Sequence, residues 1–300
     1  SPYMLECLSY QYDAPYMAIS VLCAVVPLVF RKKAKWMYIL AIVVGILTIC
    51  MTYQAAVGIF LMLVIIVAMK EWGEKKKGNK EILKFVLISA GVFLLTLLVF
   101  QKILMKPRDA YASNSLPVMS ELIPTFFNHL GQYFSLVFSD FKILWLVMVA
   151  LISIFFVVLF VVNSKKNRIV SLVMAVVGGC SIVALSFVFY AVLDKPLYAT
   201  RAMYPFGVAL AILGVYVASA ERKMSVMRVP IVVLAWCFFV FAFTYGNALK
   251  EQNNYRDMVT NMVIDDLNEI VADGATRNIQ TTGSIGFSPV ILHMPQDYKV

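Results

Sequence analysis

Apolar residues fill eight long blocks of this chain, at 14–30, 36–52, 53–69, 82–104, 143–163, 169–193, 203–220 and 229–246, with short polar segments between them. Each block approaches the roughly 20 mostly apolar residues that an α-helix needs to cross a bilayer. The second and third blocks are contiguous. As one helix, their 34 residues would reach roughly 51 Å, too long for the hydrocarbon core, so a tight reversal is predicted near 52–54. The pattern predicts an all-α polytopic membrane protein with about eight transmembrane helices.

The basic residues test that count, because short cytoplasmic loops collect Lys and Arg. Arg31, Lys32, Lys33 and Lys35 follow the first block; Lys70, Lys75, Lys76, Lys77, Lys80 and Lys84 surround the turn after the third. Lys165, Lys166 and Arg168 follow the fifth, and Arg222, Lys223 and Arg228 the seventh. Alternating spans put these four loops on one face, with 16 of the 26 basic residues and only Glu71, Glu74, Glu81 and Glu221 of the acidic ones. The N-terminal segment, the long loop at 101–142 and the tail then lie on the extracytoplasmic side.

The long loop begins KPRDAY, holding Lys106, Arg108 and Asp109. Its Leu122, Ile123, Phe126, Phe127, Leu130, Tyr133, Phe134, Val137 and Phe138 recur at helical spacing, which predicts an amphipathic helix in the interface plane. A domain division is placed after Gly246. Residues 1–246 form the membrane domain, and 247–300 a small extracytoplasmic α/β tail. There Tyr255, Met258, Val259, Met262, Val263, Leu267 and Ile270 predict an amphipathic helix, and 278–287 a short strand. Ala55, Ala56, Gly58, Gly207 and Gly214 read as sites of close helix packing.

Composition sharpens this picture. Hydrophobic residues make up 61% and charged residues 14%, against about a quarter charged in soluble domains, and the mean hydropathy is +0.82. The net charge of +9 sits in the loops and not in a basic groove, so nucleic acid is not an expected partner. Cys7, Cys23, Cys50, Cys180 and Cys237 give no paired spacing, and His129 and His293 are far apart. No disulfide framework or metal site follows, and the cofactor is unknown: carboxylates could hold a divalent ion, but no spacing indicates one.

Chemistry concentrates at the mouths of the spans. The opening SPYMLECLSYQYDAPYMAIS places Glu6 and Asp13 among Tyr3, Tyr10, Tyr12 and Tyr16. A carboxylate at a span entrance needs water or a cation, which makes Asp13 a candidate catalytic residue; a tyrosine belt with solvated acids is the plainer reading. The segment 194–205 holds Asp194, Lys195, Tyr198, Arg201 and Tyr204. A guanidinium fork there suits a phosphate bidentately; the alternative is an arginine that snorkels or pairs with Asp194. No GxGxxG, phosphate-cradling lysine loop or GxSxG motif occurs, which disfavours nucleotide-driven chemistry.

Four segments resemble a known family: PYMLECLSYQYDAPYMAIS, TYQAAVGIF, TRAMYPFGVAL and NNYRDMVTNMVIDDL. They are similar to parts of the type II O-antigen glucosyltransferases, the polytopic GT-C-like enzymes of bacterial serotype conversion. The resemblance implies a bacterial inner-membrane enzyme that moves a sugar, glucose by the family, from undecaprenyl phosphate on the extracytoplasmic face. The acceptor would be a cell-surface polysaccharide such as O-antigen or a lipid-linked saccharide, with membrane lipid as surroundings. It also implies a catalytic acidic pair in a first outer loop upstream of residue 1, so activity of this stretch alone is not expected. On that reading Asp13 or Glu6 takes the acceptor proton. Arg201, Lys195, Lys106 or Arg108 holds the donor phosphate, and Tyr10, Tyr12, Tyr53, Gln54 and Tyr198 line the sugar or acceptor site. A lipid-linked saccharide flippase is the competing function, although the span centres lack the ionisable residues that secondary transporters carry.

Overall fold

The computed structural model describes residues 1–105, 115–219, 222–271, 278, 280 and 282–292. The chain falls into two compact units, Ser1–Cys237 and Phe238–Val300. In the first, a short α1 (Pro2–Ser9) leads into α2 (Ala14–Phe30), α3 (Lys35–Thr52), α4 (Val57–Gly73) and α5 (Asn79–Val99), which closes with a π turn at Phe100–Leu104. After the long loop come α6 (Leu122–Asp140), α7 (Ile143–Asn163), α8 (Arg168–Ala184), the four-residue α9 (Val188–Ala191) and α10 (Tyr204–Ala218). The 43-residue α11 (Val229–Val271) begins in this unit, and α12 (Pro289–Leu292) lies in the second.

Among the described residues, six helical segments are long and apolar enough to cross a membrane: Lys35–Thr52, Gln54–Gly73, Asn79–Leu104, Ile143–Asn163, Thr200–Ala218 and Ser225–Ile270. The expected count was eight. The other two blocks are α2 and α8, apolar helices of 17 residues each, one residue shorter than the 18-residue α3. The sixth block breaks because turns at Leu185–Phe187 separate α8 from α9. The expected reversal between the second and third blocks is present, with Tyr53 extended (φ −145°, ψ 102°) between α3 and a 3₁₀ turn at Gln54–Ala56.

Packing centres on α4, which touches α2, α5, α8 and α10. Small residues let the backbones approach, as expected in lipid, where apolar burial offers little drive between helices. A Cβ on Gly58 would lie 1.9 Å from the Leu185 carbonyl oxygen, and one on Gly45 2.6 Å from that of Cys23. Several hydroxyls inside the bundle are paired. Ser20 and Tyr204 share a 2.8 Å hydrogen bond, Tyr38 and Ser89 one of 2.7 Å, and Thr96 donates to the Val92 carbonyl one turn back. Outward positions such as Leu40, Leu87, Leu95 and Val173 are exposed and apolar, a surface suited to lipid and not to water.

The basic loops meet at one end of the bundle. Arg31 donates to Glu71 at 2.7 Å and lies over the Phe85 ring, Lys77 is 3.6 Å from the same carboxylate, and Lys166 sits over Trp72. Lys165 closes the arrangement by donating its backbone N–H to the Gly73 carbonyl at 2.8 Å.

The second unit departs from expectation in two ways. The last span and the tail helix are not separate: Gly246 is a residue that a helix tolerates at a cost of about 1 kcal/mol, and no proline follows the first turn. Among the described residues there is no strand. The described part of 278–287 is irregular, with Gly283 and Gly286 at positive φ, and Gln252 fixes it by donating to the Gly286 carbonyl and accepting from the Ser288 N–H, both at 2.9 Å. The remainder of the expected strand lies outside the described residues.

Candidate functional site

α1 starts with Pro2 in its first turn, where the missing N–H costs nothing, and turns Tyr3 and Cys7, four residues apart, inward. The Tyr3 ring packs on Phe141 and Phe206, and its hydroxyl donates to Asp140 at 3.1 Å. Burial, with the Asp140 charge adding to it, pushes that hydroxyl well above the usual tyrosine range. The Cys7 thiol faces the Arg201 carbonyl at 3.6 Å. Burial pushes the thiol up to about 12, Glu6 adds to the rise, and Arg201 works against it.

These contacts seat α1 on the 3₁₀ turn Thr200–Met203, which precedes α10. Pro205 fits the first turn of α10, so the chain enters the helix at Tyr204, three residues after Arg201. Glu6, on the flank of α1, meets this turn. Its Oε1 lies 3.4 Å from Arg201 Nη1, and its Oε2 accepts from the Thr200 hydroxyl. Arg201 Nη1 also donates to the Tyr10 hydroxyl at 2.9 Å, with the guanidinium 4.9 Å from the Tyr10 ring centre. The two charged side chains keep only 17% and 25% of their exposure, so the pair is partly withdrawn from water.

Beside this pair, Tyr53 packs against Tyr204 at 5.8 Å between ring centres. Its hydroxyl is buried and has no hydrogen-bond partner among the described residues. Gln54, the next residue, donates to the Cys50 carbonyl at 3.3 Å and lines an apolar cavity of about 290 Å³ whose walls include Phe93, Leu97, Phe189 and Leu193. Tyr198 belongs to a neighbouring layer held by α6. The Tyr133 hydroxyl donates to the Leu197 carbonyl at 2.8 Å, the Tyr133 and Tyr198 rings are 4.9 Å apart, and Tyr198 hydrogen-bonds Gln132. His129 adds a contact of 3.2 Å from Nδ1 to the Ala191 carbonyl.

The structure thus brings together Glu6, Tyr10 and Arg201, with Tyr53 packed on Tyr204 beside them; Gln54, in the turn before α4, lines the separate apolar cavity. Asp13 stands apart from these bonds: it is the exposed N-cap of α2 and makes no side-chain capping bond. Tyr12 is 93% exposed and Lys195 is exposed in the loop after α9. Lys106 and Arg108 lie outside the described residues. Three participants, Thr200, Cys7 and Asp140, were not singled out from sequence. Thr200 adjoins Arg201 in TRAMYPF and offered a signal by proximity alone, whereas Asp140 and Cys7 are recognisable only once α1 is seated. Among the described residues no group of three His, Cys, Asp or Glu side chains could hold a metal ion.

In chemical terms the site is a guanidinium held by one carboxylate and one phenol at the end of the bundle away from the basic loops. A guanidinium oriented in this way suits a phosphate through a charge-assisted contact. No curated protein and no solved structure matches the chain. A family model described as Glucosyl transferase GtrII does match, over residues 1–218, a stretch running from α1 to the end of α10 and containing every side chain of the Glu6–Arg201 cluster. The chain therefore belongs to the Glucosyl transferase GtrII family of glucosyltransferases.

Proposed function

We propose that this glucosyltransferase moves glucose from an undecaprenyl-phosphate carrier to a cell-surface polysaccharide such as O-antigen, working on the extracytoplasmic face of the bacterial inner membrane. The observation that carries the reading is the Arg201 guanidinium, gripped by Glu6 and Tyr10 at the end of the bundle opposite the basic loops. As the bond from glucose C1 to the carrier's phosphate oxygen breaks, negative charge grows on the departing undecaprenyl phosphate, and such a cation stabilises it. The cavity beside Gln54 supports a lipid-borne donor, since its apolar walls suit an isoprenoid chain lying next to the phosphate.

The roles divide by availability. Both Glu6 oxygens are engaged, by Arg201 and Thr200, so Glu6 orients the cation. Asp13 is exposed and bound to no cap, so its carboxylate is free to take the acceptor hydroxyl's proton as general base. Tyr10, Tyr53, Gln54 and Tyr198 face the sugar, with Tyr12 at the rim, and Lys195, Lys106 and Arg108 add positive charge near the donor. The test is transfer from radiolabelled undecaprenyl-phosphate glucose by membranes containing the full-length protein. Label appearing in polysaccharide, and lost with Arg201→Ala, is the expected result. Movement of the intact labelled lipid across the bilayer without transfer would replace this reading with that of a flippase.

A further inference from the structure

An open groove of about 460 Å³ lies at the other end of the molecule, between the start of α3 and the first turns of α5, lined by Lys35, Lys80, Lys84, Leu83, Leu87 and Ile88. The α5 residues fall at 80, 83, 84, 87 and 88, the spacing of one helical stripe. The adjoining stripe is already used: Phe85 stacks on Tyr38 and Ser89 hydrogen-bonds it, which fastens α5 to α3. The groove is therefore what remains beside a fixed helix pair. Lys35, Lys80, Lys84, Leu83 and Leu87 are all exposed in it.

We propose that this groove is a binding site for an anionic phospholipid, with the phosphate among the three ammonium groups and an acyl chain along Leu83, Leu87 and Ile88. Charge complementarity selects the headgroup. Three lysines meet here, and neither Glu81, the acidic residue in the first turn of α5, nor any other acidic side chain lines the groove. The nearby carboxylate of Glu71 is held by Arg31 and Lys77 and does not neutralise it. The aliphatic wall selects a lipid over a free anion, since lysines and leucines follow one another along a single helix in the order of headgroup and chain. Trp36, 66% exposed next to Lys35, suits the depth at which indole rings sit beside headgroups. Basic pockets between membrane helices on the cytoplasmic side take acidic headgroups by this logic, and the groove lies with the loops that the positive-inside pattern makes cytoplasmic. The site is remote from the glycosyl-transfer cluster, and its test is independent of that activity.

The experiment is native mass spectrometry of the full chain released from vesicles of phosphatidylcholine alone or mixed with phosphatidylglycerol, comparing the wild type with Lys35→Gln/Lys80→Gln/Lys84→Gln. The wild type is expected to carry phosphatidylglycerol in preference to phosphatidylcholine, and the triple variant to lose about a hundredfold in that preference. All three side chains are exposed, so the variant should melt with the wild type in phosphatidylcholine, and that measurement separates loss of the site from loss of the fold. Inorganic phosphate in excess should leave the lipid bound. Equal retention of phosphatidylglycerol by the folded triple variant, or its displacement by inorganic phosphate, would overturn the proposal.

Discussion

Arg201 Nη1 lies 3.4 Å from Glu6 Oε1 although 195 positions separate the two residues. The contact ties the N-terminal helix to the entrance of α10, and on the proposed mechanism it holds the guanidinium for the donor phosphate. Arg201→Ala should raise the KM for the lipid-phosphate donor roughly ten- to hundredfold, the effect of losing a charge-assisted contact. Arg201→Lys should keep the charge, lose the fork and fall between. Glu6→Gln should raise the same KM with little change in kcat, because Glu6 acts through Arg201. Steady-state kinetics with varied donor separate these outcomes; an unaltered KM in Arg201→Ala would leave the arginine as an interfacial anchor.

Reporter fusions at Lys76 and Lys166 are expected to read cytoplasmic, and fusions at Met119 and Tyr198 extracytoplasmic. The structure gives these positions a common basis, since the loops near Gly73 and Lys165 join at one end through the Gly73 carbonyl, while the Leu197 carbonyl is held by Tyr133 of α6. A cytoplasmic signal from Met119 would require a different pairing of spans.

Helices were legible in the sequence because periodic apolarity and bilayer thickness constrain them strongly. The reversal at Tyr53 followed from length alone, and the α6 positions Leu130, Tyr133 and Val137 are, with His129, the buried ones of that helix. What failed to show was local: the turns after Ala184 are written in no proline or glycine, and Gly246 looks like a stop that packing did not need. The site was legible as residue types and not as partners. Arg201 was open to Asp194, to lipid or to phosphate, and one sequence carries no signal linking positions 6 and 201. Nothing in the string marks Asp140 as the acceptor for Tyr3 either.

Cys7 should resist thiol reagents at neutral pH, because its thiol is fully buried and raised to about 12 and the reactive form is the thiolate. The sign for stability follows. The folded value lies above the ordinary value of 9.0, so the contribution is present below about pH 9 and is lost as pH rises towards 12. Maleimide labelling across that range should accelerate with pH, and Cys7→Ala should flatten the alkaline loss of melting temperature. Rapid labelling at pH 7 would place the thiol at the surface.

Two glycines of the same apparent kind should behave oppositely. Gly58→Ala drives a Cβ to 1.9 Å from the Leu185 carbonyl oxygen, backbone that cannot step aside, whereas the nearest atom to a Cβ on Gly214 is 3.9 Å away. The first should destabilise by about 1–3 kcal/mol or more through overpacking; the second should be neutral or gain up to about 1 kcal/mol of helix propensity. Thermal unfolding in one detergent gives both numbers. Equal melting temperatures would mean that α4 and the turn after α8 are less tightly apposed than their backbones indicate.

Asp13→Asn tests the proposed division of labour between the two acids. Acceptor oxygen must shed a proton as it attacks the sugar, and a positioned carboxylate contributes roughly a hundred- to ten-thousandfold to such steps. Asp13 is suited to this because it is exposed and its oxygens serve no helix cap, while its backbone carbonyl already accepts from Met17 at 3.0 Å and its N–H donates to Tyr10 at 2.9 Å. Those backbone bonds persist in asparagine, so the fold and the start of α2 should be unchanged and the melting temperature should match the wild type. Turnover by the full-length enzyme should fall by at least about a hundredfold at saturating donor, with the donor KM unmoved, since Arg201 and Glu6 keep their geometry. Asp13→Glu, which restores the charge on a longer arm, should recover part of the rate. A folded Asp13→Asn enzyme that turns over at the wild-type rate would remove Asp13 from the chemistry, and a raised donor KM with normal turnover would move it to the binding of the phosphate.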